Sequence, residues 1–549
     1  MRADGYQEAV ELGFWLLGAS HLLGRRDSAA PPLGPRWPFV FAEGRECAVV
    51  DDSGDWEALS RRLDGDSSEL QSWSGDFTFA HMGPTGVLTV ARSVSGRAPV
   101  YVLSDRGRTV VATQLGTVVR YSSRMLELDP WPVALHIETL MPDAVQSVVA
   151  GVLALPPGHL ARSDQDFAPV RYWDPRRIAT RPASRRGQAE HSERLRDAVF
   201  SAVAAETDDA TLLTLSGGFD SSCLAVVAHQ LGKTYSTLTF LPPVASDQAR
   251  ERLWLGRVRD YVRPSISRQW ELELSARRRL SLLESAPQTV VPFRHPALAM
   301  LPSLRAEGAI TTLMGGEGAD ELFGSITVHE DWMTTLRPSD LVRLPEAIPF
   351  MARFAKRYAR HLLGWALEAP PLPLPRQMST LFRHVLRQRY VQWRRQLAAS
   401  IAGSPAARPF LELRYRSLAN GMAAHWEACS KFGVARSFPF VSRELIELAF
   451  ETHPAEELGW GGKRLSRIGF RSVVPPRIRA RRDKGVSSYG ELPSVLWTDP
   501  TPPELGGVVR GGLEAGAAEV MGIWEALRLR ALLNIVGALR TERHCHEHS

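Results

Sequence analysis

Leu213-Thr214-Leu215-Ser216-Gly217-Gly218-Phe219-Asp220-Ser221-Ser222 is the stretch on which the reading of this chain turns. The apolar run Thr211–Leu215 before the loop has the length and make-up of a buried strand, and Ser222–Leu231 after it carries apolar residues at helical spacing. Between Leu215 and the helix, Gly217 and Gly218 let backbone N–H groups approach an anion closely. The hydroxyls of Ser216, Ser221 and Ser222 add donors, and the helix points its positive end at the same spot. Such a loop suits a chain of phosphates. Asp220 lies inside it and would repel phosphate unless a cation stood between them, for which Mg²⁺ is the natural bridge. The glycine spacing is neither that of a Walker A loop nor that of a dinucleotide-binding turn.

A second unit of the same design follows. Ile310–Met314 reads as a short strand, and Gly315-Gly316-Glu317-Gly318-Ala319-Asp320-Glu321-Leu322-Phe323-Gly324 as a glycine-rich acidic turn entering a helix. Alone, such a loop reads equally as a turn or as a site, and Asp320 beside it supplies a second carboxylate that with Asp220 could clamp Mg²⁺ against a triphosphate. Tyr235–Phe240 supplies a further strand. Strands alternating with helical segments from residue 188 onward predict an α/β fold with a parallel sheet. A third signal is Pro475-Pro476-Arg477-Ile478-Arg479-Ala480-Arg481-Arg482-Asp483-Lys484-Gly485, where Lys484 stands alone among arginines. The chain has only five lysines, Lys233, Lys356, Lys431, Lys463 and Lys484, among 66 basic residues.

Working outward, the first 170 or so residues alternate as strands and turns. Gly75–Gly83, Gly86–Ala91, Val100–Leu103 and Val110–Thr113 are the strand candidates of a β-rich domain. Residues 174–187 are polar, basic and proline-containing, as a linker would be. Residues 326–405 hold Arg, Trp and Leu at helical spacing around Pro370–Pro375 and read as packed helices with arginine-coated outer faces.

The 549 residues call for two domains or more, and 44% hydrophobic with 23% charged residues describes a globular chain. A formal charge of +6 is compatible with an anionic ligand but too small to argue for nucleic acid. Four scattered cysteines (Cys47, Cys223, Cys429, Cys545) without CxxC spacing argue against a disulfide framework or a zinc site and for a reducing cytoplasm. The ending His544-Cys545-His546-Glu547-His548 reads as a polar tail rather than a metal site. No run of 18 apolar residues predicts a membrane span, and Glu8 and Glu11 are out of place in a signal peptide.

The Ser216–Ser222 loop resembles the SGGxDS signature of the ATP pyrophosphatase (PP-loop) superfamily. Together with Gly315–Gly324 it is similar to the asparagine synthetase family. Gly433-Val434-Ala435-Arg436-Ser437-Phe438-Pro439-Phe440 resembles the family segment beneath the active site, and Gly75–Ala80 with Ala91–Tyr101 resembles the glutaminase half. The resemblance implies a β-rich, Ntn-hydrolase-like αββα domain over residues 1–175, a vestigial class II glutamine amidotransferase. It also implies a PP-loop synthetase domain over residues 188–549 with a parallel sheet and many helices. ATP and Mg²⁺ are the implied cofactors. Leu215, Ser216, Gly217, Gly218, Asp220, Ser221, Ser222, Gly315 and Gly316 would hold ATP, and Asp220 and Asp320 the metal. Lys484 would stabilise the adenylation and amide-forming transition states.

Position 2 is Arg2, where a working glutaminase of this class carries its nucleophilic cysteine, so glutamine-derived ammonia is not expected. Relatives of that kind use an amine already on the substrate. The resemblance then implies a lasso peptide macrolactam cyclase acting on a precursor peptide, with a leader-peptide-binding protein and a leader peptidase as pathway partners. A β-lactam synthetase, or an asparagine synthetase-like ligase using free ammonia, stays open beside it. Glu427, with Tyr390 or Tyr415, is a candidate base for the attacking amine, and a surface position for Glu427 is the competing expectation. A PP-loop tRNA-modifying enzyme fits less well, because the basic tract that would bind RNA is missing.

Overall fold

The computed structural model describes residues 70–71, 76–82, 86–105, 108–120, 147–179, 188–242, 244–273, 296–307, 310–324, 409–430, 432–452 and 463–481. It also describes positions 122, 126, 129 and 132, and the backbone alone of 6–12 and 15–20. The Arg/Trp-rich region 326–405 and the His544–His548 tail lie outside these residues, as does Lys484.

Strands β1 (Tyr6–Leu12), β2 (Trp15–Ser20), β3 (Thr78–Met82), β4 (Leu88–Arg92), β5 (Tyr101–Asp105), β6 (Arg108–Ala112), β7 (Leu153–Ala154), β8 (His159–Arg162) and β9 (Val170–Arg171) form two sheets, ordered β1-β2-β6-β5-β7 and β3-β4-β8-β9. Leu88 and Val90 of β4 and Ala161 of β8 pack on Val102 of β5 and Val111 of β6, so the two sheets lie face to face. All five residues of β4 are buried. That is the mark of a sheet covered on both sides, because Ala91 and Leu160 point the other way, into the core of the C-terminal part.

The C-terminal part is built on five parallel strands. These are β10 (Thr211–Thr214), β11 (Tyr235–Leu241), β12 (Ile266–Glu273), β13 (Thr312–Met314) and β14 (Ala435–Ser437), in the order β12-β11-β10-β13-β14. Side chains alternate between its two faces with period two. Leu213, Leu215 and Met314 enter one core with helices α1 (Gln188–Glu206) and α2 (Phe219–Gln230), while Leu212, Leu238 and Leu313 enter a second. A parallel sheet buried on both faces needs strands as apolar as Thr211–Thr214, which the sequence supplies. Around it lie α3 (Ala245–Val262), α4 (Ala319–Phe323), α5 (Pro409–Ser430), α6 (Arg443–Glu451), α7 (Arg464–Gly469) and α8 (Pro476–Arg479).

Two local expectations are corrected. Helix α2 starts at Phe219, three residues before the apolar run suggests, because the Ser222 N–H already donates to the Gly218 carbonyl (3.1 Å). The presumed linker begins with a turn of helix, Pro175–Ala179, where proline at the first helical position costs no hydrogen bond and Ile178 is buried. Among the described residues, no helix is long and apolar enough to cross a membrane.

Candidate active site

In a parallel sheet, ligand sites form where loops leave the carboxyl ends of the strands. β10 and β13 are direct neighbours, pairing Leu213 with Met314, so the loops that follow them emerge side by side. They touch: a Cβ on Gly316 would stand 3.1 Å from the Asp220 Cβ and 3.2 Å from the Ser221 nitrogen, closer than most side chains pack, so glycine eases the approach. The loops enclose a cleft of about 280 Å³ lined by Thr214, Leu215, Ser216, Gly218, Asp220 and Ser221, with Leu238 and Phe240 of β11 on one side. Gly316, Glu317, Asp320 and Glu321 of the second loop close the other.

The first loop is tied by its own hydroxyls. The Ser216 N–H donates to Ser221 Oγ (3.2 Å), the two hydroxyls of Ser216 and Ser221 lie 3.1 Å apart, and the Gly218 N–H donates to Ser216 Oγ (3.3 Å). Ser222 does something else. Fully buried, it donates to the Gly218 carbonyl at 2.6 Å and stitches the first turn of α2. Gly217 rests on the Leu255 backbone and on Arg481, whose buried guanidinium donates to Glu251 (2.6 Å). Of the residues assigned to ATP, then, Leu215, Ser216, Gly218, Asp220, Ser221 and Gly316 line the cleft. Gly217, Ser222 and Gly315 lie behind that lining.

Asp220 and Asp320 converge, and the point on which they converge is held by Lys463. Its ammonium donates to Asp220 and stands 2.6 Å from Asp320 Oδ1. Burial alone would lower the pKa of this ammonium, but the two carboxylates outweigh it and raise the pKa above the ordinary lysine value. Lys463 caps α7 in a left-handed backbone conformation (φ 62°), a state of the kind that costs a non-glycine residue on the order of 1 kcal/mol or more. Lys463 bears no motif that marks it in the sequence. Its only signal there is scarcity, as one of five lysines.

The cleft is acidic. Asp220, Glu317, Asp320 and Glu321 all line it, and Glu317 is itself held by Arg436 (2.7 Å), a guanidinium stacked 4.5 Å above the Phe438 ring. Burial, reinforced by Asp320, raises the Glu321 carboxyl above its usual range, and its oxygen accepts the Gly318 N–H at 3.0 Å. A bare triphosphate would be repelled here, so a phosphate ligand needs a divalent cation with it. Among the described residues no group of three or more His, Cys, Asp or Glu side chains is set to cage a metal. Two carboxylates around one cation position suit Mg²⁺ all the same, because that ion takes one or two carboxylates and completes its shell with water and substrate phosphates.

Glu427 is not on the surface. It is 2% exposed on α5, accepts the Leu115 N–H at 2.8 Å, and raises the phenol of Tyr101, for which burial is the larger cause. Tyr101 lies on β5 and Leu115 opens the short helix Leu115–Arg120 that follows β6, and the carboxylate does not line the cleft. Tyr415 is likewise buried, donating to the Val94 carbonyl. Tyr390 lies outside the described residues. Thr214, Leu238, Phe240, Glu317, Glu321 and Lys463 are the site residues that reading along the sequence did not single out.

The asparagine synthase family matches the chain over residues 190–543, which include both loops and Lys463. Proteins of Mycobacterium tuberculosis (strains H37Rv and CDC 1551) and Mycobacterium bovis, provisionally named asparagine synthetase (glutamine-hydrolyzing), are each 27% identical to it over 322 residues, covering 54% of this chain and 47% of theirs. The chain thus spans about half the length of the curated relatives it matches. With the matched segment taking in more than half of the sequence and the whole of the cleft, this chain belongs to the asparagine synthase family.

Proposed function

We propose that the chain is an AMP-forming, ATP-dependent amide ligase, acting in the cytoplasm, that activates a carboxylate and hands the acyl group to an amine. One observation carries this reading: the two glycine-rich loops meet in a single cleft in which Asp220 and Asp320, one from each loop, converge on Lys463. ATP is a substrate in this scheme. Its phosphates would lie against Ser216, Gly218 and Ser221 at the positive end of α2. Asp220 and Asp320 would hold Mg²⁺, which when bound neutralises the phosphate oxygens. A substrate carboxylate oxygen attacks the α-phosphorus and pyrophosphate leaves. The amine then attacks the acyl carbonyl and gives up a proton, and AMP leaves. Lys463 is the described cation placed to steady the charge that develops. Lys484, three residues beyond Arg481, is a second candidate.

Within this class we favour ring closure, with a precursor peptide as substrate: an Asp or Glu side chain is adenylated and joined to the peptide's own N-terminal amine. Supporting it, the two described cysteines, Cys223 and Cys429, are both buried, and burial holds both thiols above their usual pKa, Cys429 up to about 12. Neither offers the thiolate that glutamine hydrolysis requires. Holding both ends of one chain would itself supply a large part of the rate, since well-oriented intramolecular reactions reach effective molarities of about 10⁵ M. A leader-peptide-binding protein and a leader peptidase would accompany such an enzyme. The N-terminal sheets would be a glutaminase-like layer, and the parallel sheet a PP-loop domain. The mycobacterial relatives, named for glutamine-hydrolyzing asparagine synthetases, favour a second reading, an asparagine synthetase-like ligase, here taken to use free ammonia.

The test is to incubate purified protein with MgATP and, in separate arms, aspartate with ammonium, aspartate with glutamine, and peptides bearing a free N-terminal amine and an internal Asp or Glu. The proposal expects AMP and pyrophosphate with a peptide lighter by one water. Release of ADP and orthophosphate would overturn the AMP-forming reading, and asparagine formed from ammonium would replace ring closure by the second one.

A further inference from the structure

We propose that Arg97 is a positioning residue of the nucleotide site, through which the N-terminal sheets hold the second glycine-rich loop against the first. The proposal rests on reading the cleft as an ATP site. Arg97 lies just past β4, far from the cleft in sequence, with its side chain 13% exposed. Its Nη2 donates to the carbonyls of Phe438 (3.1 Å) and Val441 (3.1 Å) and to Glu206 Oε1 (2.9 Å), and its Nε stands 3.7 Å from Asp76.

Those partners are the supports of both loops. The turn Phe438–Val441, closed by its own Val441 N–H to Phe438 carbonyl bond (2.8 Å), lies directly behind Gly318. A Cβ on that glycine would come 2.2 Å from Val441 Cγ2. At the other end, the second oxygen of Glu206 accepts the Ser437 hydroxyl (2.5 Å), and the Ser437 carbonyl accepts the Gly315 N–H (3.3 Å). One guanidinium therefore fixes the strand and turn that back the loop at Gly315 and at Gly318, and the segment between and just beyond them carries Glu317 and Asp320. Glu206 is also the last residue of α1, which leads into β10 and the first loop. All three acceptors surround Nη2 while Nε of the same planar group faces Asp76, and a lysine ammonium on a shorter, flexible stem lacks that second point of attachment.

The experiment uses full-length Arg97→Lys and Arg97→Met, with MgATP KM and kcat read from pyrophosphate release, MgATP Kd from calorimetry, and Tm recorded alongside. With the Asp320 loop displaced by a fraction of an ångström or more, Arg97→Met is expected to raise MgATP KM and Kd about tenfold. kcat at saturation should change less, and Arg97→Lys should fall between wild type and Met. An unchanged MgATP KM in Arg97→Lys, with only Tm lowered, would overturn the proposal, and this variant keeps the test decisive if the Met variant does not fold. Wild-type protein that binds no MgATP at all would instead sink the underlying reading of the cleft, and this proposal with it.

Discussion

The Lys463 ammonium stands 2.6 Å from the Asp320 carboxylate while also donating to Asp220, so residues 143 and 243 positions apart in sequence share a single charge. One cation compensates two carboxylates from separate loops. It is therefore tied to the geometry of both, and to any phosphate that enters between them.

Replacing Lys463 by methionine should lower kcat for pyrophosphate release about 100-fold or more, the order seen when one preorganised electrostatic group is removed from a transition state. The same substitution at Lys484 is the control. A Lys463→Met enzyme that keeps its kcat while Lys484→Met loses it would move the role to Lys484.

Gly318→Ala puts a methyl group 2.2 Å from Val441 Cγ2 at a backbone φ of +95°, where side chains are strained. Overpacking of this kind costs about 1–3 kcal/mol. Tm should fall, and MgATP Kd should rise in parallel because the loop must shift. A variant with wild-type Tm would mean that Val441 moves aside freely.

Glu321 gives a pH signature. Burial and Asp320 raise its carboxyl above the ordinary 4.5, so the folded state holds the proton more tightly than the unfolded state. Stability from this group is full below the unfolded value and lost as pH rises through the folded one. Glu321→Gln, which can still accept the Gly318 N–H, should therefore melt higher than wild type at pH 8. The difference should vanish toward pH 4. A constant difference across that range would show that the carboxyl is not the source.

For Glu427 the expectation is one of stability. Glu427→Ala leaves the buried Leu115 N–H without its acceptor, at a cost of about 1–3 kcal/mol. Thermal or denaturant unfolding should register that loss while MgATP KM stays within about twofold of wild type, since the carboxylate does not line the cleft. A selective fall in kcat with unchanged stability would restore Glu427 as a base.

Much of the site was legible along the chain because short-range physics writes it there. The strand Thr211–Thr214, the Ser216–Gly218 turn and the helix after it are set by apolar run, glycine and helix period over about a dozen residues. The same holds for Thr312–Met314 and the acidic turn into Ala319–Phe323. The N-terminal strands were legible too, by their alternation, although their double burial was not, since a strand covered on both faces depends on what packs against it.

By itself the sequence determined two glycine-rich loops, each on a strand and entering a helix, and the kinship of residues 190–543 with the asparagine synthase family. Only the tertiary structure decided that these loops adjoin, because sheet order β10-β13 is a pairing between strands about 100 residues apart. It also put Lys463 between Asp220 and Asp320, set Glu427 against Leu115, and ran Arg97 across to the turn behind Gly318. Each of these is a long-range contact of a single side chain. No local period or motif encodes such a contact, and burial and charge select it only once the chain has closed.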